Sequence, residues 1–165
     1  MVAMKNIISF LLIVVFFSVS SLSAQISHGG RPLALNAFKG SSSEYFIDMP
    51  FFDPEEELRV DSLKQPEFRS FRFAYKFVDQ FHRGNSGVNF MLDDGTKVWR
   101  LGIRSQGAYS INVLFSEYEL PEGAQLFLYN TDQSYILGSF NHLNNSEAGL
   151  LPVAPVPGDE LIIEY

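Results

Sequence analysis

The chain of 165 residues contains no cysteine, one tryptophan, three histidines and only 12 basic residues against 19 acidic ones. Without cysteine the chain forms no disulfide, no thiolate zinc site and no cysteine nucleophile. The net charge of −7 disfavours binding to the phosphate backbone of nucleic acids and to anionic membranes. The sequence therefore predicts a protein that folds by burying apolar surface alone and that has no nucleic-acid partner.

Long apolar runs are absent after the first 24 residues, and the run over residues 7–17 is shorter than the about 20 residues of a membrane-spanning helix. Lys5 precedes this run, and small residues follow it up to Ala24, which is typical of an export signal. We therefore predict a signal peptide over residues 1–24, with cleavage between Ala24 and Gln25. The mature chain is then exported, either periplasmic or secreted to the cell surface, and free of the membrane.

The mature chain has 165 − 24 = 141 residues, with 11 basic and 19 acidic side chains and thus a net charge of 11 − 19 = −8. This length is that of one ordinary domain, which buries enough surface to fold without a metal. Residues 25–67 are rich in turn-forming residues and predict an irregular leader. Within it, residues 55–61 fit either a short acidic helix, with Asp53 as N-cap and Pro54 at its first position, or a solvated run of charge.

From residue 68 onward the apolar residues recur with a period of two, which is typical of half-buried strands. Asp94-Gly95 between two alternating runs predicts a β-hairpin, because glycine adopts a positive φ at little cost. Seven short strands are predicted, and they span residues 71–77, 88–92, 97–104, 109–115, 124–129, 135–140 and 161–165. The fold class predicted is all-β, an antiparallel β-sandwich over residues 68–165, with a jelly-roll variant as the alternative.

The last predicted strand, residues 161–165, is strongly apolar and has no polar tail after it. Natural domains rarely end inside such a segment. We therefore expect the sequence to be the N-terminal piece of a longer protein, truncated within its β-module.

Groups that could carry out catalysis do not converge in the sequence. Serine hydrolysis needs a serine activated by a histidine that a carboxylate orients, but Ser86 lies in a Gly/Asn/Ser turn without the G-x-S-x-G pattern. His28 falls in the leader, and His82 and His142 are predicted at strand ends or on the surface. No catalytic residue and no cofactor-binding or nucleotide-binding motif is predicted, and this chain is not predicted to be an enzyme.

Metal-ligating side chains are also dispersed. Asp93 and Asp94 are adjacent and fit a turn better than a chelate, and Asp132 and Asp159 likewise lie in turns. No metal site is predicted, and a calcium ion bridging loop oxygens is the minor alternative.

Aromatic residues suggest a second class of function. Trp99, Tyr109 and Tyr135 would be the exposed aromatics of a sugar-stacking platform if the chain bound glycans. Most aromatics, however, lie on the apolar phase of the predicted strands, which favours core packing. A carbohydrate-binding or adhesion module is therefore the alternative hypothesis.

Two short motifs point to modification. Asn144-Asn145-Ser146 is a formal N-glycosylation sequon. Asp61-Ser62-Leu63 resembles the short acceptor motif of bacterial periplasmic O-glycosylation, and it lies in the predicted leader.

Three longer runs are distinctive in this order: residues 98–112 (VWRLGIRSQGAYSIN), 120–130 (LPEGAQLFLYN) and 155–165 (PVPGDELIIEY). Together with residues 25–32 and Met49-Pro50, they resemble the N-terminal non-catalytic region of secreted lysyl-endopeptidase-like, trypsin-like serine proteases of Gram-negative bacteria. The resemblance covers nearly all of residues 25–165. It implies that a protease domain of the same precursor follows and is the partner of this module, so the parent protein is a serine endopeptidase. The family's catalytic residues belong to that following domain, so none falls on this chain.

The leading hypothesis is therefore a non-catalytic pro-region of an exported serine endopeptidase, which assists folding of the protease or keeps it latent. Its acidic charge suits docking to a more basic catalytic domain.

Overall fold

The computed structural model describes residues 27–63 and 73–165, which form ten short strands and one α-helix. The predicted signal peptide and the Ala24–Gln25 bond lie outside the described residues. Within the described ranges, no helix has the length and apolar character needed to cross a membrane.

The strands account for most of the regular structure. They are β1 (Phe46–Asp48), β2 (Val88–Met91), β3 (Lys97–Arg104), β4 (Ser110–Ile111), β5 (Leu114–Phe115), β6 (Leu126–Tyr129), β7 (Ile136–Phe140), β8 (Leu151–Pro152), β9 (Val156–Pro157) and β10 (Glu160–Glu164). Helix α1 spans Pro54–Leu63, and single 3₁₀ turns span Leu35–Ala37, Ser42–Glu44 and His142–Asn144.

Six strands form one open sheet in the order β1-β3-β10-β6-β7, and β2 also pairs with β3. β3 is long enough to hold β2 along its first half and β1 along its second half. All pairs in this sheet are antiparallel except β1 with β3, which is parallel. Two short antiparallel ladders, β4 with β9 and β5 with β8, lie outside the sheet.

The prediction of a β-rich fold is confirmed, but several boundaries differ. The predicted strand over residues 71–77 is wrong in its described part, because residues 73–77 form no strand. Phe73 is 91% exposed, and the Tyr75 ring contacts Phe52 and Phe77 rather than a core. Alternation of apolar residues indicates that a strand would have an apolar face. It does not show that a partner strand is present, which a sheet requires.

The segment expected to be an irregular leader contains regular structure. It supplies β1 to the edge of the sheet, and it contains α1. The Asp53 Oδ1 atom accepts hydrogen bonds from the N–H groups of Glu55 and Glu56 at 3.0 and 3.3 Å. Of the two interpretations of this segment the helix is therefore correct, because the N-cap satisfies two backbone donors and the acidic first turn suits the helix dipole.

The core has two parts, one on each face of the sheet. Successive side chains of a strand point to opposite faces. The larger cluster therefore takes alternate residues of the central strands, which pack with side chains from the two ladders; its buried members include Trp99, Leu101, Ile103, Leu126, Leu128, Leu161, Ile163 and Val156. The smaller cluster contains Tyr45, Phe127, Tyr129 and Ile162, and the leader covers it with Leu35, Phe38 and Phe46. The central strands β3, β6 and β10 are thus buried on both faces.

Close approach of the leader to the sheet depends on Gly102. The parallel register places Phe46 of β1 opposite Gly102 of β3, and the ring lies where a side chain would stand. A Cβ atom at position 102 would lie 2.6 Å from the Cδ1 atom of Phe46. The absence of a side chain at this position allows the aromatic ring to lie against the backbone of β3.

We expect Gly102→Ala to destabilise the domain by about 1–3 kcal/mol, because the added methyl group overpacks this contact. The free energy of unfolding in urea is the measurement. In a Phe46→Ala background the same change should cost much less, since the ring that it displaces is gone. If Gly102→Ala lowered the free energy of unfolding equally in both backgrounds, the contact between position 102 and the Phe46 ring would not be the cause.

Candidate functional site

A buried ion pair lies at the centre of the sheet, on the face that the leader covers. Arg100 of β3 and Glu164 of β10 stand opposite each other in the antiparallel register. The Nε and Nη2 atoms of Arg100 donate to Oε2 of Glu164 at 3.1 and 2.7 Å, and the hydroxyl of Tyr129 donates to the same oxygen at 2.8 Å. All three side chains are buried. We call these three residues, with the backbone of residues 33–35, the leader clasp.

The remaining polar atoms of the ion pair bind the backbone of the leader. The other carboxylate oxygen of Glu164 accepts the N–H of Leu33 at 2.7 Å. Arg100 donates to the carbonyl groups of Leu35 and Ala34 at 3.0 and 3.4 Å. A buried charge is costly unless its partners satisfy it, and here the leader satisfies part of both charges.

The surroundings of the pair are aromatic. The guanidinium carbon of Arg100 lies 5.4 Å from the ring centre of Phe90 and 5.7 Å from that of Tyr45, within cation–π range. Burial, together with the adjacent charge of Glu164, raises the pKa of Tyr129 well above its usual value. Tyr129 therefore stays protonated over the whole physiological range and acts as a hydrogen-bond donor. The polar groups of the clasp are thus engaged with one another and with the backbone of the leader.

We expect Glu164→Gln to destabilise the domain by about 3–5 kcal/mol, because it leaves Arg100 buried without its counter-charge. Urea denaturation of residues 25–165 measures the change, and amide exchange at Leu33 should rise in parallel. Glu56→Gln removes an exposed pairing with Arg59 and should leave the midpoint unchanged. A Glu164→Gln variant as stable as the parent would show that the clasp is not a major source of stability.

Nothing in the sequence analysis identified the clasp. The period of two places Arg100 on the face of β3 opposite Trp99 and Leu101, and it does not indicate what covers that face. One signal in the sequence points to a buried ion pair. Arg100 and Glu164 are charged residues that each lie within a strongly apolar run.

The side chains considered for serine hydrolysis do not form a catalytic arrangement. Ser86 Oγ donates to the backbone carbonyl of His82 at 3.1 Å, and the His82 imidazole Nδ1 accepts from the N–H of Gly84 at 3.1 Å. Both groups therefore close the same turn. His28 binds the edge of β7 through its backbone N–H, which donates to Ser139. His142 lies in a 3₁₀ turn far along the chain.

Two of the four aspartates considered as ligands for calcium, Asp94 and Asp132, stabilise their own turns. The Oδ1 atom of Asp94 accepts the N–H of Thr96 at 2.9 Å, and that of Asp132 accepts the N–H of Ser134 at 2.9 Å. These hydrogen bonds lower the pKa of both carboxyl groups. In the part of the chain that the structure describes, no group of three or more histidines and carboxylates is placed to hold a metal ion.

The three aromatics considered for glycan stacking lie in different environments. Trp99 is only 6% exposed and its Nε1 donates to the carbonyl of Ser86 at 2.8 Å, so its assignment to an exposed platform is corrected. Tyr135 is half-buried against the larger cluster. Tyr109 alone is fully open, at 98% exposure. A stacking platform needs several exposed rings together, and these three residues do not form one.

Because Trp99 is the single tryptophan, its fluorescence tests this geometry. We expect acrylamide to quench the emission weakly, and soluble oligosaccharides to leave its wavelength and intensity unchanged. Tyr109→Ala serves as the control and should leave the urea midpoint unchanged. Strong quenching, or a sugar-dependent shift of the emission, would contradict the buried position of the ring.

Three exposed carboxylates lie close together in one short loop. In residues 116–123 the side chains alternate, so that Tyr118 is buried while Glu117 and Glu119 are exposed, and Glu122 follows in the next turn. The Tyr118 hydroxyl donates to the carbonyl of Asn141 at 2.9 Å, and burial raises the pKa of Tyr118 to about 12. We call Glu117, Glu119 and Glu122 the acidic loop.

Asn145 holds this loop in place from the opposite segment. Its Oδ1 accepts the N–H of Leu120 and its Nδ2 donates to the Leu120 carbonyl, both at 2.9 Å. The backbone that carries the three carboxylates is therefore fixed by hydrogen bonds to the N–H and to the carbonyl group of Leu120. Such preorganisation reduces the entropy lost when a charged surface binds a partner.

No protein-family model matches the chain, and no solved structure matches it significantly.

Proposed function

We propose that this chain is the non-catalytic N-terminal module of an exported bacterial serine endopeptidase precursor, where it assists folding of the protease domain or keeps it latent. The observation that carries the proposal is the position of the three runs that resemble the protease family. Residues 98–112, 120–130 and 155–165 include all of β3 but its first residue, and the whole of β6 and β10, and β10 pairs with both of the others. The resemblance thus falls on the doubly buried centre of the fold, which is what a shared structural module requires.

We infer further that the module is an antiparallel β-sandwich. The larger cluster contains alternate residues of the six-stranded sheet, and it contains Val156 and Leu151 from the two ladders. The sheet and the ladders would be the two layers, with this cluster between them. Relative to a simple sandwich, the leader forms an additional cover on the outer face of the sheet.

The acidic loop offers a docking surface for the protease domain. The mature chain carries 19 acidic against 11 basic residues, and Arg100 and Arg104 are already paired with carboxylates. A fixed row of carboxylates accelerates and orients association with a basic surface. This docking would keep the module on the protease until the two are separated.

The reading frame after the codon for Tyr165 provides the first test. A trypsin-like protease domain encoded there supports the proposal, and an immediate stop codon overturns it.

The second test is inhibition in trans. Purified residues 25–165 should slow peptide hydrolysis by the protease domain, and the effect should weaken between about 0.1 M and about 1 M salt, where the Debye length falls from about 10 to about 3 Å. The triple variant Glu117→Gln, Glu119→Gln, Glu122→Gln should weaken inhibition by about tenfold, or about 1.4 kcal/mol.

The matched control removes the same charge elsewhere. Glu55, Glu56 and Glu57 lie together in the first turn of α1, and their replacement by Gln should leave the inhibition constant unchanged. If the parent module neither inhibits the protease domain nor raises its refolding yield, the proposal is wrong. Binding of the parent module to a glycan array, with no effect on the protease, would favour the adhesion alternative.

A further inference from the structure

The two modification motifs of the chain lie in different structural settings. Asn144, the acceptor of the sequon, is half-buried in the 3₁₀ turn His142–Asn144. Its Oδ1 accepts the N–H of Asn141 at 2.9 Å and completes a capping box. A sugar on the Asn144 amide would disturb this cap, which argues against modification of the folded chain at that position.

Ser62 lies in an open setting. It is exposed in the last turn of α1, and its hydroxyl donates to the carbonyl of Arg59 at 2.6 Å. No residue of α1 is buried, so a bulky group on this helix displaces no core side chain. The last turn of a helix lacks part of its backbone hydrogen bonds and opens locally at small cost, which lets an enzyme straighten the acceptor segment.

Leu63, beside Ser62, also lacks a role in the core. Leu63 is 73% exposed, although burying a leucine side chain would contribute about 1.5–3 kcal/mol. Asp61 is the only one of the eight aspartates that a serine or threonine follows. The Asp-Ser-Leu order is thus unique in the chain, and its leucine is available for recognition by another protein.

We propose that Ser62 is an O-glycosylation site of the exported chain. The proposal rests on the expected export and is independent of the proposed protease role. The donor is a sugar carried on a membrane polyprenyl diphosphate. The Ser62 Oγ attacks the anomeric carbon, the new C–O bond forms as the bond to the diphosphate breaks, and the hydroxyl proton passes to a base of the transferase. The polyprenyl diphosphate leaves with the bonding electron pair, and no oxidant or reductant is required.

The test uses the chain as exported by the organism that encodes it. Intact mass and tandem mass spectrometry with fragmentation that preserves glycans should locate at least one sugar residue on Ser62. Ser62→Ala should lose the added mass, Ser62→Thr should retain it, and Asp61→Asn should reduce it strongly. Ser43→Ala is the matched control, because Ser43 is also exposed but follows a serine rather than an aspartate, and this variant should keep the full added mass.

Each result is decisive. Ser62→Ala should keep the parent urea midpoint after enzymatic deglycosylation of the parent, so that loss of the mass reports the missing acceptor rather than misfolding. Unmodified Ser62 in the exported chain, whether or not other proteins of the same cells carry sugars, overturns the proposal. Sugar found only on another residue, or full modification of Asp61→Asn, overturns it as well.

Discussion

The buried pair of Arg100 and Glu164 is the constraint on which the rest of the fold depends. Two full charges lie opposite each other in the central strands, and each would be strongly unfavourable alone. The hydroxyl of Tyr129 and the backbone of residues 33–35 supply the remaining hydrogen bonds. The leader is therefore a required part of the domain, since without it both charges lose partners and the aromatic cluster around Tyr45 loses its cover.

The sequence predicted local features well and long-range ones poorly. The hairpin at Asp94-Gly95 and the N-cap at Asp53 each depend on a few neighbouring residues, and both were identified. The burial of Arg100 could not be predicted, because the period of two shows which residues share a face, and it does not show what covers that face. The strand expected around Phe73 does not form, for a related reason. Its alternating pattern is present, but no strand among the described residues pairs with it. The clasp joins residues more than 60 positions apart, so no local pattern could reveal it.

The charged groups divide into an internal set and an external set. Inside, Arg100 is neutralised by Glu164 and is inaccessible to any partner. At the edge, Arg104 binds both Asp48 and Glu160, and these contacts raise its pKa further. The excess of acidic charge is then left to surfaces such as the acidic loop, whose backbone is held by Asn145. Arg100 and Arg104 are thus engaged within the fold, while the carboxylates of the acidic loop face outward.

The contact between Leu33 and Glu164 spans 131 residues, and this separation determines the order in which the domain can fold. The leader is synthesised first, but its hydrogen-bond partner on β10 follows every other described strand. Closing so long a loop is slow, because its entropy is lost before the contacts compensate for it. The contact between the leader and Glu164 therefore cannot form until β10 has been synthesised, so the N-terminal part of the chain completes its packing last.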